Sequence, residues 1–194
     1  MTEKTDRRIR KTKAQLRTGL ARLMKEKSIN EITVRELVDE ADINRSTFYL
    51  HYNDIYHLLE SIENDLFEEL RRIVDTHAVD PLDGDTFPFI ADIFSLVEQN
   101  RDICSALLGD HGDLAFVRRI EQFIESHSLS LLKNCIPENL DDICMTYSFC
   151  LSGCVGLIKS WLSGECSSTP AHMADLTYRI FTTAISQYHV LSKN

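Results

Sequence analysis

Apolar residues recur at helical spacing along nearly the whole chain, and nowhere do they alternate as they would in a half-buried strand. A first stripe, Ile9, Leu16, Leu20, Leu23 and Met24, predicts a helix over 6–27. Thr33 and Glu36 then form a T-x-x-E capping box, with Ile32 and Leu37 at the positions of a hydrophobic staple. Behind that cap, Val34, Leu37, Val38 and Ala41 share one face of a short helix. Asp42-Ile43-Asn44 interrupts it, and Asn44 is a good N-cap for a second short helix over 45–49, with Ile43 and Phe48 repeating the staple spacing. Asn53 is expected to cap a long helix over 53–78, along which Ile55, Leu58, Leu59, Ile62, Leu66, Leu70, Ile73 and Val74 follow one another at three- and four-residue steps. A helix as short as 45–49 is marginal alone in water, so its neighbours must clamp it. Two short helices joined by a tight turn between longer ones describe a helix-turn-helix.

Residues 79–85 include Pro81 and Gly84 and predict a domain boundary. Beyond it the pattern is again helical. A helix over 87–100 turns Phe87, Ile90, Ile93, Phe94 and Val97 inward; a short one follows over 103–108. A longer one over 114–134 carries Phe116, Val117, Ile120, Phe123, Ile124, His127 and Leu131. Pro137 opens the next, to about 162, and Thr169 caps the last, with Pro170 at its first position and an end near 191. The expectation is an all-α chain: a helix-turn-helix domain over 1–52, a connecting helix over 53–78, and a larger helical regulatory and dimerisation domain over 79–194.

Residues 143–162 are apolar almost all the way round, so that helix must be covered on several sides. Gly153 and Gly156 weaken it unless another helix packs closely there. With the broad apolar face of the last helix it can form a four-helix bundle with a second copy, an isologous contact. The candidate interface residues are Gly153, Leu157, Trp161, Ile180, Ala184 and Tyr188; closure of a monomeric core is the competing explanation.

Charge changes the picture in one respect. The net charge is −9, an odd balance for a partner of nucleic acid, but it is unevenly spread. The first 27 residues hold 10 basic and 3 acidic side chains, whereas residues 60–194 hold 9 basic and 21 acidic. A basic head on an acidic body points to nucleic-acid binding at the head. The first turn of the second short helix offers Arg45, Ser46 and Thr47 with no acid among them, side chains that reach base edges or phosphates. A merely solvated face is the alternative.

Other chemistry is thinner. No Gly-rich phosphate loop, G-x-S-x-G or H-E-x-x-H occurs, and acid pairs such as Glu68-Glu69 and Asp141-Asp142 fall on solvent-facing helix phases, so no catalytic residue and no enzyme is expected. Six cysteines include no C-x-x-C, and Cys150 and Cys154, four apart, have no further ligands at neighbouring turns; no metal and no cofactor is expected. They read as small buried hydrophobes, with Cys166 in a loop. His111 and His127 read as loop and core-edge residues. No apolar run reaches the roughly 20 residues of a membrane span, and the N-terminus has no apolar signal region, so a cytoplasmic location without membrane contact is expected.

The stretch DRRIRKTKAQL, followed by ITVRELVDEADINRSTFYLHYNDIYHLLESI, resembles the DNA-binding domain of the TetR family of bacterial transcriptional regulators. That family's pattern reads roughly T-V-x-x-I/L, A-G-V, S/T-x-x-x-Y, Y/H-F and K-x-x-L. ADINRSTFYLHY resembles a subgroup from Gram-positive bacteria that includes regulators of the dihydroxyacetone-kinase type, and GCVGLIKSWL resembles the penultimate helix of the family, which dimerises through its last two helices. The resemblance implies a homodimeric regulator, a repressor, with a double-stranded DNA operator and a small-molecule effector in the C-terminal domain. The implied DNA-binding set is Thr33, Arg35, Asn44, Arg45, Ser46, Thr47, Tyr49 and His51, with Tyr49, His51, Thr33 and the basic first helix on phosphates. Phe94, Phe116, Phe123, Tyr147 and Phe149 are candidates to line an effector pocket, though each serves equally well as core. Two positions depart from the family. Its turn glycine is Asp42 here, which tolerates a left-handed backbone. Its lysine at the start of the third helix is Ile55, which removes one phosphate contact per subunit. That loss leaves a second function open, a protein-interaction coactivator with weakened DNA binding.

Overall fold

The apolar stripes become helices, and among the described residues no strand occurs. The computed structural model describes residues 2–77, 86–135, 140–165 and 167–191. In chain order these hold α1 (Thr2–Glu26), a single 3-10 turn (Ile29–Glu31), α2 (Val34–Glu40), α3 (Arg45–Tyr49) and α4 (Ile55–Thr76). There follow α5 (Thr86–Gln99), α6 (Arg101–Leu108), α7 (Leu114–Cys135), α8 (Leu140–Ser163) and α9 (Pro170–Leu191). The expected boundary segment 79–85, Pro137 and Cys166 lie outside the described residues.

The chain forms two compact units, Met1–Leu66 with Asn100–Phe116, and Phe67–Gln99 with Val117–Asn194. In the first, Leu16, Leu20 and Met24 of α1 are buried with Leu37 and Val38 of α2, Phe48 of α3, and Ile55, Leu58 and Ile62 of α4. Helix α6 packs along α1 in the same unit, where Arg17 donates to Asn100 Oδ1 and Lys25 reaches Asp102 at 3.4 Å. In the second unit α9 packs against both α5 and α8. Its core includes Phe94, Ile124, Ile143, Tyr147, Trp161, Met173 and Ile185.

Several caps form as expected. Thr169 Oγ1 accepts the His172 N–H at 3.2 Å at the start of α9. The start of α4 differs. Asp54, not Asn53, is its cap: Asp54 Oδ1 accepts the His57 N–H at 2.8 Å. His57 Nδ1 in turn accepts the Asn53 N–H at 3.2 Å. The offset of three residues between Asp54 and His57 satisfies an orphan N–H, and a carboxylate there also opposes the positive end of a 22-residue helix. In α5 the inward stripe is shifted. Phe89 is buried beside Ile90, Phe94 and Val97, whereas Phe87 is exposed and meets Tyr178 edge-on at 5.5 Å.

One property of α8 was not expected. Asp141–Ser163 is long and apolar enough to cross a membrane by length and composition, with a mean hydropathy of 1.3. The stretch is not an unbroken apolar run, because Thr146, Ser148, Ser152 and Lys159 interrupt it. Only 17% of its most apolar stretch is buried, so much of that apolar surface is left uncovered by the chain itself.

Candidate nucleic-acid interface

Residues 33–54 build a platform held by local hydrogen bonds. Thr33 caps α2, accepting the Glu36 N–H at 3.2 Å, while Glu36 Oε2 accepts from the Thr33 N–H at 2.9 Å and its hydroxyl at 2.8 Å. Lys27 Nζ lies 2.6 Å from Glu36 Oε1. That ammonium is the main reason the Glu36 carboxyl is lowered from 4.5 to about 2, with the Thr33 N–H and hydroxyl adding to it. The staples close over these caps, with Ile32 and Leu37 buried around one and Phe48 beneath the other. The turn between α2 and α3 passes through Asp42 at φ 52°, the left-handed backbone expected at the glycine position.

Helix α1 approaches α2 closely. A Cβ at Gly19 would lie 3.3 Å from both Ala41 Cβ and Leu37 Cδ1, so even a methyl group there would need these neighbours to give by a few tenths of an ångström. Gln15 Nε2 donates to the Ala41 carbonyl at 3.3 Å and occupies one of the last carbonyls of α2. Tyr56 of α4 donates to Asn30 Oδ1 at 2.8 Å and holds the 3-10 turn.

On this platform α3 turns one face in and the other out. Phe48 is fully buried; Arg45, Ser46 and Tyr49 are exposed and Thr47 is half-buried. Asn44 Oδ1 accepts both the Ser46 N–H at 2.9 Å and the Ser46 hydroxyl at 2.8 Å, so this residue of the expected DNA-binding set caps the helix. Arg45 Nη2 donates to the Tyr49 hydroxyl at 3.3 Å. Arg35 is exposed beside Asp39, Thr33 is exposed, and His51 is half-buried at the end of α3. The structure thus brings the eight expected residues onto one connected segment, but commits the oxygens of Thr33 and Asn44 to the backbone. Leu50, exposed at the end of α3, was not singled out from the sequence; its place beside the motif tyrosine was the available signal. Ile55 is buried, so the position where the resemblance places a lysine belongs to the core.

The expected sites of the body separate in the structure. Trp161, taken as an interface residue, is 1% exposed: its ring meets Phe94 edge-on at 5.7 Å and its Nε1–H donates to the Ser168 carbonyl at 2.9 Å. It faces the core of its own chain because the buried stripe of α8 runs through Ile143, Tyr147 and Cys150 to this residue. The opposite stripe is bare: Met145 is 64% and Phe149 78% exposed, and Gly153 and Gly156 follow on the same face with nothing within 4 Å of a built Cβ. Leu157 and Ala184 are half-buried, and Ile180 is 49% exposed. Tyr188 is tied back to α8 through Thr146 Oγ1 at 2.6 Å.

Of the aromatic residues expected to line a pocket, Phe149 is on this outer stripe and cannot line an interior cavity of the chain. Phe116 belongs to the first unit, and Phe94, Phe123 and Tyr147 to the second. Cys104 and Cys150 are buried. Burial, with Cys150 beside it, pushes the Cys154 thiol up to about 11. Cys144 is half-buried, and the side chain of Cys135 lies outside the described residues.

Comparison with known proteins agrees with this architecture. Residues 17–62 match the family model for bacterial regulatory proteins of the tetR family, and residues 84–183 match that for a transcriptional regulator C-terminal region. An uncharacterized HTH-type transcriptional regulator, YxbF of Bacillus subtilis (strain 168), is 33% identical over 57 residues, which span 29% of this chain and 15% of that relative. A TetR transcriptional regulator from Streptococcus agalactiae 2603V is 26% identical, with a TM-score of 0.56 over 93% of this chain and 99% of that one. FadR from Bacillus subtilis, in complex with stearoyl-CoA, shares the fold at 12% identity, with a TM-score of 0.58 over 88% of this chain and 98% of its own.

Proposed function

Because the chain belongs to the TetR family of bacterial transcriptional regulators, we propose that it is a homodimeric, cytoplasmic repressor whose grip on a DNA operator is set by a small molecule in its C-terminal region. The observation that carries this reading is the outer face of α3, where Arg45, Ser46 and Tyr49 are exposed while Phe48 anchors the helix from behind. A face of donors on a backed helix enters a major groove, where Arg45, Ser46 and Thr47 meet base edges. Arg35, His51 and the basic side chains of α1 take phosphates.

Dimerisation is supported by the bare stripe of α8 and by Ile180. An exposed apolar stripe of this extent marks an interaction site, and its glycines let a second helix approach closely. We assign Met145, Phe149, Gly153, Gly156, Leu157, Ile180 and Ala184 to the interface. Two heads per dimer then read half-sites about one helical turn apart, ~34–36 Å, or somewhat more. Effector control is supported by a relative of the same fold that holds stearoyl-CoA; Phe94, Phe123 and Tyr147 are the residues we place around a ligand.

Selection from random DNA duplexes with the purified protein tests the reading. The expected result is enrichment of one two-fold-symmetric site. A second reading, a coactivator that works through a protein partner, is favoured by Ile55, an apolar core residue where the family has a lysine. Enrichment of no sequence, together with a stoichiometric protein partner retained on purification, would replace the first reading by the second.

A further inference from the structure

On the outer face of α3, Arg45 and Tyr49 are not independent side chains. They lie four apart, one helical turn, and so face each other. Arg45 Nη2 donates to the Tyr49 hydroxyl at 3.3 Å, and the guanidinium carbon lies 5.6 Å from the Tyr49 ring centroid. Tyr49 is in turn held by Phe48, whose ring it meets edge-on at 5.3 Å and 84°. Phe48 is fully buried. A line of contacts therefore runs from the core of the helix-turn-helix, through an aromatic edge, to the tip of an arginine. The neighbouring hydroxyl does not compete for that tip, because Ser46 Oγ donates to Asn44 Oδ1.

The choice of a phenol as the holding group matters. A carboxylate at position 49 would fix Arg45 but also neutralise it; a phenol accepts one hydrogen bond and leaves the positive charge in place. One N–H of the guanidinium is used, and most of its five-donor fork remains for a planar, two-acceptor partner. An arginine whose range of rotamers is narrowed beforehand loses less freedom on docking, so more of its hydrogen bonding appears as discrimination between partners.

We propose that Tyr49 is a positioning residue that holds Arg45 ready to grip the O6/N7 edge of a guanine, so that one base pair of each half-site is read through a hydroxyl that does not itself touch the base. This rests on the DNA-binding reading above and deepens it: the recognised feature is a guanine in the major groove.

The test uses a duplex enriched from the random pool and measures, position by position, the ratio of affinities for guanine over adenine. Arg45→Ala is expected to collapse that ratio at one position of each half-site by about 5- to 150-fold, the range of one bidentate base contact. Tyr49→Phe, which keeps the ring and its packing on Phe48, is expected to lower the ratio at the same position by roughly 2- to 10-fold, the range of one net hydrogen bond, and to leave other positions alone. Tyr49→Leu, which removes the ring as well, should lower it at least as far. Substituting 7-deazaguanine for that guanine should weaken the wild-type protein and leave Arg45→Ala unaffected. A phosphate contact by the remaining proton of the Tyr49 hydroxyl weakens all duplexes alike and cancels from the ratio. An unchanged ratio in Tyr49→Phe, with uniformly lower affinity, would overturn the positioning role; an unchanged ratio in Arg45→Ala would overturn guanine reading. Enrichment of no duplex at all would instead remove the DNA-binding reading, and this inference with it.

Discussion

Asp42 shows what a single residue can carry. It occupies the left-handed region at φ 52°, where a side chain costs energy that glycine does not pay. Asp42→Gly should be neutral or slightly stabilising in thermal unfolding, and Asp42→Val should cost about 1–2 kcal/mol. This turn was legible in the sequence because the residues around it fix its place. Asn53 and Asp54 were not separable in the same way: both are capping residues, and only the position of the responding N–H, on His57, chooses between them. Glu36 carries the clearest pH dependence. Its folded pKa lies below the ordinary value of 4.5, so its contribution is present in full above about 4.5 and is lost as pH falls through about 2. Glu36→Gln should therefore have a lower urea midpoint than wild type at pH 6, and that gap should close between pH 4.5 and 2.

At the scale of elements, caps and close approaches set the helix-turn-helix. Thr33→Ala removes the acceptor for the Glu36 N–H and should destabilise the protein by roughly 0.5–2 kcal/mol in chemical denaturation. Gly19→Leu should be harmful for a different reason. Its Cβ would already press on Leu37 and Ala41, and the added atoms must push α2 away from α1, at roughly 1–3 kcal/mol. Both features begin in the sequence, but only the first is visible there. A capping box has a fixed spacing, whereas Gly19 looks like any helical glycine until α2 is laid against it. The same distinction explains the body. Periodicity gave the helices of 87–100 and 143–162, but an all-round apolar helix has no phase of its own. Which side is buried was decided by partners distant in sequence, so Trp161 turned inward and Phe149 outward.

At the scale of the whole molecule, the chain passes three times between its two units: within α4, between α5 and α6, and near the start of α7. The membership of α6 in the first unit was not legible, because it depends on contacts such as Arg17 with Asn100 that are 83 residues apart. The bare stripe of α8 is the main quaternary prediction. Gly153→Leu adds atoms into open space in a single chain and replaces a poor helix former by a good one, so it should keep or slightly raise the melting temperature of an isolated subunit and yet block a close helix pair. It, and Ile180→Arg, should sediment as monomers where wild type sediments as a dimer. An unchanged sedimentation mass would remove these residues from the interface.

The central claim is that the N-terminal unit binds DNA by sequence, through a basic and hydrogen-bonding surface. The most direct measurement is equilibrium binding of the purified protein to DNA from its own upstream region, against unrelated competitor, as a function of salt. The expected result is selective binding whose log affinity falls linearly with log salt, with a slope of about −0.9 per phosphate contacted. Weak binding to both DNAs, equal in affinity and with a shallow slope, would contradict it.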